Sequence, residues 1–140
     1  MSNKSKGANV ERELVKLFTE QGWRALRVAG SGMNDDSPCD IIAGKVGKRG
    51  YAIETKSSRK NRIYITKAQI NDFVAFALSL GLQPAIAVRF AYEGWLFLEP
   101  EHLEDTGANW VVSIEKAKSQ GKRFSQFFEY ALPQINSNES

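Results

Sequence analysis

Residues 40–56 read Asp40-Ile41-Ile42-Ala43-Gly44-Lys45-Val46-Gly47-Lys48-Arg49-Gly50-Tyr51-Ala52-Ile53-Glu54-Thr55-Lys56. Two short β-prone runs, residues 40–43 and 51–55, flank a basic turn punctuated by glycine, which is a hairpin signal. Along the second run side chains alternate faces, so Glu54 and Lys56 project together and Thr55 projects away. Asp40 opens the first strand, and antiparallel pairing can bring it beside Glu54. Two carboxylates and one ammonium then converge. Oxygen ligands suit a hard cation such as Mg²⁺, which keeps several waters and needs only one or two protein carboxylates. A neighbouring lysine can hold a phosphate or a metal-bound water, which is what metal-assisted hydrolysis of a phosphodiester requires. In a solvated surface hairpin the same residues would be scattered charge, so the rest of the chain decides between the two readings.

Composition places the chain among soluble globular proteins. Its 140 residues suffice for one domain with a core, and 42% are hydrophobic against 25% charged. No apolar run approaches the roughly 20 residues of a membrane span, and residues 1–7 lack an apolar signal core. The lone Cys39 excludes an intramolecular disulfide framework and a cysteine zinc cluster. His102, the only histidine, excludes a multi-histidine metal site within one chain and reads as a surface residue. A reducing cytoplasm is the expected location. The net charge of +3 is unevenly spread. Lys45, Lys48, Arg49, Lys56, Arg59, Lys60, Arg62 and Lys67 crowd the hairpin and its sequel with only Glu54 among them, whereas Glu99, Glu101, Glu104 and Asp105 form an acidic segment. Basic charge around paired carboxylates favours a phosphate-binding surface over a solvated loop.

Ahead of the hairpin, residues 8–21 read as a helix with Val10, Leu14, Leu17 and Phe18 as its core stripe and Gly22 as its stop. Glu11 lies beside this stripe, either at a water-facing edge or aimed inward at a site, and spacing slightly favours the edge. Residues 23–28 read as a strand. The following Gly30-Ser31-Gly32 indicates a mobile loop. Ser31 lacks both a nucleophile-elbow motif and a histidine base, so it is expected to bind phosphate or shape substrate access. After the hairpin come a basic loop at 57–62 and a strand at 63–65. Thr66-Lys67-Ala68-Gln69 is then a capping box, with Ile65 and Ile70 as its hydrophobic staple. That helix is expected to reach about Leu80, with Gly81 as its C-cap. Ile70, Val74, Ala77 and Leu78 form one apolar stripe, expected to dock the helix. Phe73, Phe76 and Leu80 form a second, and together the stripes cover about 200°, against the roughly 100° of a one-sided helix. The second stripe either lies under another segment or meets its copy across a two-fold axis as a dimer interface.

Strands follow at 85–90 and 95–98, bracketed by Pro84 and Pro100, with a further one expected at 110–114. The basic Lys116, Lys118, Lys122 and Arg123 and the aromatic Phe124, Phe127, Phe128 and Tyr130 are expected to pack as a short helix. Residues 1–132 read as a single domain and 133–140 as a disordered tail. The fold class is α/β, a mixed central β-sheet flanked by helices.

A helix glutamate, an aspartate at a strand start and Glu-x-Lys on the next strand resemble the PD-(D/E)xK nuclease superfamily. Lys6-Gly7, Glu11-Arg12-Glu13-Leu14, Arg27, Gly30-Ser31-Gly32, Asp40-Ile41-Ile42-Ala43 and Ile53-Glu54-Thr55-Lys56 further resemble the archaeal Holliday junction resolvases, from about Lys6 to Leu98. Cys39 stands where the superfamily nominally has proline, with Pro38 adjacent. The resemblance implies a restriction-endonuclease-like core and a homodimeric, structure-selective endonuclease that nicks two opposed strands of a four-way DNA junction. Asp40 and Glu54 would bind Mg²⁺, with Mn²⁺ as a substitute and the Thr55 carbonyl as a further ligand. Glu11 would complete the metal or water shell, reversing the edge reading. Lys56 would orient the attacking water, and Ser31 would contact the scissile region. Lys6, Arg12 and Arg27 would hold phosphates, joined by Lys45, Lys48, Arg49, Arg59, Lys60, Arg62 and Lys67 of the basic zone. Phe73, Phe76 and Leu80 would pair the subunits. Two other classes share part of this pattern. A restriction or repair endonuclease of the same superfamily would share the metal site, and a non-catalytic DNA-binding module would lack the full set.

Overall fold

The computed structural model describes residues 3–28 and 37–129, with the backbone alone for residues 3–6. Ser31, Tyr130 and the 133–140 tail lie outside the described residues, as does the side chain of Lys6. Helix α1 (Asn3–Glu20) is followed by strands β1 (Arg24–Arg27), β2 (Ile41–Gly44), β3 (Tyr51–Ser58) and β4 (Arg62–Thr66). Helix α2 (Lys67–Ser79) leads to β5 (Gln83–Phe90) and β6 (Gly94–Leu98). A 3-10 turn at Pro100–His102 precedes β7 (Glu104–Asp105), β8 (Asn109–Ser113), α3 (Ile114–Gln120) and α4 (Phe124–Phe128).

The hairpin forms as its sequence requires. β2 and β3 pair antiparallel with Ile41 opposite Ile53 and Ala43 opposite Tyr51. They sit inside a five-stranded sheet ordered β1-β2-β3-β5-β6, in which β3 and β5 are the parallel pair. That pair needs a long crossover, which β4 and α2 supply. The sheet is therefore mixed and covered on both faces. Leu14 and Phe18 of α1 pack with Trp23, Ile41, Tyr51, Ile53 and Phe97 on one face. Phe124 and Phe128 of α4 join them, with ring centroids 4.9 Å from Phe18 in each case. On the other face Ala52, Ile86, Val88 and Leu98 meet Ile70, Phe73 and Ala77 of α2, together with Ile63, Ile65 and Val112. Those last three belong to a second sheet, ordered β4-β8-β7, which was not read from the sequence as a unit.

Local chemistry explains the helix ends. α1 stops at Gly22, whose φ of 85° closes the turn while the Trp23 N–H donates to the Phe18 carbonyl. α2 starts at Thr66, whose hydroxyl accepts from the Gln69 N–H at 3.1 Å. It ends before Gly81, at φ 69°, where the Leu82 N–H reaches the Ala77 carbonyl at 2.8 Å.

The docking stripe of α2 differs from the expected one. The buried residues are Ile70, Phe73 and Ala77, while Val74 and Phe76 are half-buried and Leu78 and Leu80 exposed. The helix is rotated toward Phe73 because the second sheet, with Ile63 and Ile65, packs beside it. Phe73, expected at a dimer interface, is thus 0% exposed core and is no part of an outer surface. The aromatic C-terminal run covers α1 rather than α2, and the basic residues before it are engaged internally. Lys116 pairs with Glu104 at 3.7 Å and Lys118 with Glu93 at 3.4 Å.

Candidate active site

Because Ile41 faces Ile53, Asp40 lies one residue further along, level with Glu54 and Thr55. Its N–H donates to the Ile53 carbonyl at 3.0 Å. Its Oδ2 accepts from the Thr55 N–H at 2.8 Å and from the Thr55 hydroxyl at 3.1 Å. These two bonds fix the Asp40 carboxylate beside Glu54, close enough for each charge to act on the other. Glu54 projects to the α2 side of the sheet and is only 3% exposed. Gln69 Nε2 reaches toward Glu54 Oε2 at 3.5 Å. The capping box is therefore half made: Thr66 caps the helix, while the Gln69 side chain turns to the carboxylate. Lys56, two residues along the same face, is half-buried. A cavity of about 500 Å³ opens here, between the hairpin end and the first turn of α2, lined by Pro38, Asp40, Glu54, Thr66, Gln69 and Asp72.

Electrostatics follow from this crowding. Burial first, then the charge of Asp40 and the hydrogen bond to it, push the Glu54 carboxyl up to about 9, only partly offset by Lys56. Glu11 also lies above its ordinary range through burial and the charge of Asp40, opposed by its bond to Arg27. Arg27 Nε donates to Glu11 Oε1 at 3.0 Å, so α1 and β1 bring these two groups to the rim of the carboxylate pair. Glu11 thus faces inward rather than out at an edge. Buried Cys39, beside Asp40, has its thiol pushed up to about 12 by burial and is not a nucleophile. Two neighbouring carboxylates, one of them buried, call for a counter-charge, and an all-oxygen donor set suits a hard divalent cation. Asp40 and Glu54 fit such an ion. Among the described residues no group of three or more Asp, Glu, His or Cys side chains converges on one point, so Glu11 stands beside the pair rather than within a triad.

The basic residues separate into two populations. Lys45 and Lys48 sit in the hairpin turn, at the opposite end of β3 from Lys56, and both pair with Glu129, at 3.4 and 3.8 Å. Trp23 Nε1 donates to the same carboxylate at 3.0 Å, so these lysines tie the C-terminal segment down. Arg49, beside them, is exposed. Lys67 pairs with Asp105 at 2.6 Å and lies over the Trp110 ring. Arg59, Lys60 and Arg62 follow β3 on the carboxylate end and are exposed, with no ion pair among the described residues. Arg12 is exposed midway along α1, with Nη1 3.4 Å from Asn9 Oδ1. The site residues that sequence reading missed are Gln69 and Asp72. Gln69 carried a signal, as the third residue of the helix in the crossover that follows the Glu-x-Lys strand, but its capping role masked it.

A family model described as archaeal Holliday junction resolvase (Hjc) matches residues 2–132. The crossover junction endodeoxyribonuclease Hjc of Archaeoglobus fulgidus is 33% identical over 133 residues, covering 89% of this chain and 96% of that protein. Its namesake from Methanocaldococcus jannaschii is 36% identical over 107 residues, covering 76% and 75%. The solved structure of Archaeoglobus fulgidus Hjc, a Holliday junction resolvase from an archaeal hyperthermophile, superposes with a TM-score of 0.76 at 28% identity, covering 85% of this chain and 97% of that one. With a match over nearly its whole length and the same mixed sheet beneath it, the chain belongs to the archaeal Holliday junction resolvase family.

Proposed function

We propose that this protein is a crossover junction endonuclease that resolves four-way DNA junctions by metal-dependent hydrolytic nicks in two opposed strands. The observation that carries the metal-dependent step is the neighbouring Asp40 and Glu54 carboxylates lining one cleft, with Lys56 further along the same face of β3. Asp40 and Glu54 hold Mg²⁺, for which Mn²⁺ can substitute, with the Thr55 backbone carbonyl as a further ligand. The ion supplies Lewis-acid stabilisation of phosphate charge and a more acidic bound water. Thr55 orients Asp40 through two hydrogen bonds, and Gln69 orients Glu54. Lys56 positions the attacking water and balances charge that develops on the phosphorane. Glu11, steadied by Arg27, completes the water shell, and Ser31 contacts the scissile region.

Arg12, Arg59, Lys60 and Arg62 grip phosphates around the cleft, joined by Lys6 and Arg27. Lys45, Lys48, Arg49 and Lys67 make a weaker, outlying contribution, since three of the four are already ion-paired. Residues 1–132 act as one nuclease domain, a reading supported by the packing of Phe124 and Phe128 onto Phe18. Two opposed strands need two sites, so the enzyme works as a homodimer, with Phe76 and Leu80 on the outer side of α2 in the interface. Among the described residues no helix is long and apolar enough to cross a membrane, in keeping with a cytoplasmic DNA enzyme. The test is a gel assay comparing a four-way junction with linear duplex of the same sequence, with and without Mg²⁺. Paired nicks confined to the junction and dependent on the ion are expected, and equal cutting of the duplex would instead favour a restriction or repair endonuclease.

A further inference from the structure

We infer that Tyr92, at the tip of the β5–β6 hairpin, is a stacking platform for a base that leaves the helical stack at the junction branch point. The inference rests on the junction-cutting function proposed above and adds a contact that distinguishes a junction from a duplex.

Tyr92 is fully exposed, although tyrosines are usually at least half covered. It is also the single non-glycine with positive φ, 69°, among the described residues. The Glu93 N–H donates to the Phe90 carbonyl, which sets Tyr92 at the third position of a tight turn where glycine or asparagine is normally required. An L side chain is disfavoured there, and the surrounding structure holds it in place. Arg123 Nη1 donates to the carbonyls of Glu93 at 2.7 Å and Trp95 at 2.9 Å. Lys118 pairs with Glu93 at 3.4 Å. The tip is thus clamped from α3 and the segment after it, while the ring it presents has no aromatic neighbour among the described residues.

Its location gives this ring a use. β5 runs parallel to β3, with Lys56 level with Val88 and Ser58 with Phe90, and the Ala91 N–H donates to the Ser58 carbonyl. The tip therefore leaves the sheet at the same end as Lys56, beside the turn that carries Arg59 and Lys60. Four strand residues and a turn beyond the level of Glu54 amount to about 15–20 Å, within a few nucleotides of the carboxylates. Cations alone suffice to grip phosphates. An aromatic face adds affinity only where a base offers its own face, and such stacking tolerates any base. Linear duplex hides its base faces, whereas the pairs that flank a branch point open readily. The ring should therefore add affinity for junctions and none for duplex.

Tyr92→Gly suits the backbone better and removes the ring, and Tyr92→Phe keeps the ring. Binding is measured without divalent metal, on a four-way junction carrying 2-aminopurine beside the branch point and on linear duplex. Tyr92→Gly should lose about tenfold in junction affinity, together with the 2-aminopurine response, while duplex affinity is unchanged and thermal stability equals or exceeds that of the parent. Tyr92→Phe should retain both binding and response. A Tyr92→Gly protein that binds junctions as tightly as the parent, or that loses junction and duplex equally, overturns the inference. If the parent protein itself binds and cuts duplex as well as junctions, the proposed function fails and this inference with it. A junction-selective parent with an unaffected glycine variant overturns the inference alone.

Discussion

Glu54 should make the metal-free protein lose stability as pH rises, against the usual behaviour of a carboxylate. Its folded-state value is raised from 4.5 to about 9, chiefly by burial and then by Asp40. Between those values the folded protein keeps a proton that the unfolded chain has released. The stabilising contribution is complete below about 4.5 and is lost as pH climbs toward 9. The slope approaches 1.36 kcal/mol per pH unit, so moving from pH 5 to pH 8 costs up to about 4 kcal/mol. For a chain of this length that corresponds to a Tm drop of up to about 14 °C. Glu54→Gln removes the ionisable group, keeps the shape and can still accept from Gln69. The assay is thermal unfolding in EDTA at pH 5 and pH 8 for both proteins, the difference between them cancelling all other titrating groups. The native protein should show the larger drop, and Mg²⁺ at pH 8 should restore the native protein but not the variant, because ion binding favours the ionised pair. If both proteins fall by the same amount between the two pH values, Glu54 is not a buried protonated carboxyl and the picture of the site is wrong.

Four further outcomes are expected. Asp40→Asn should abolish cleavage while junction affinity in a gel-shift assay stays level or rises, because a negative charge leaves the phosphate-binding face; full cleavage by this variant would remove Asp40 from the metal site. Lys56→Ala should lower the single-turnover cleavage rate by about 10²-fold or more with little change in Kd, whereas the combined Arg59→Ala, Lys60→Ala and Arg62→Ala protein should weaken binding and flatten the slope of log K against log salt by about two to three. Phe73→Ala should destabilise the fold by about 3–5 kcal/mol in a denaturant titration, as truncation of a fully buried core aromatic. Phe76→Ser together with Leu80→Ser should leave the circular dichroism spectrum intact and shift sedimentation from dimer to monomer; a persistent dimer would place the interface elsewhere.

The sequence by itself determined those features whose physics is local. The alternation of β3, the glycines of the turn, the stripe of α1 and the Thr66 cap each depend on neighbours within a few residues, and each forms as read. Register is local too, so the hairpin alone puts Asp40 level with Glu54, and strand alternation puts Glu54 and Lys56 on one face. Tertiary structure decided what depends on distant partners. Both apolar stripes of α2 satisfy helical periodicity equally well, and only the second sheet packed alongside makes Phe73 core and leaves Leu78 outside. Lys45 and Lys48 read like Arg59 and Lys60 along the chain, yet Glu129, more than eighty residues on, neutralises the first pair. Glu11 was ambiguous because its helix position suits both an edge and a site, and its distance from Asp40 is set by how α1 lies across β1 and β2. Charge and periodicity state what a residue can do, and the choice of which distant group it meets belongs to the packed fold.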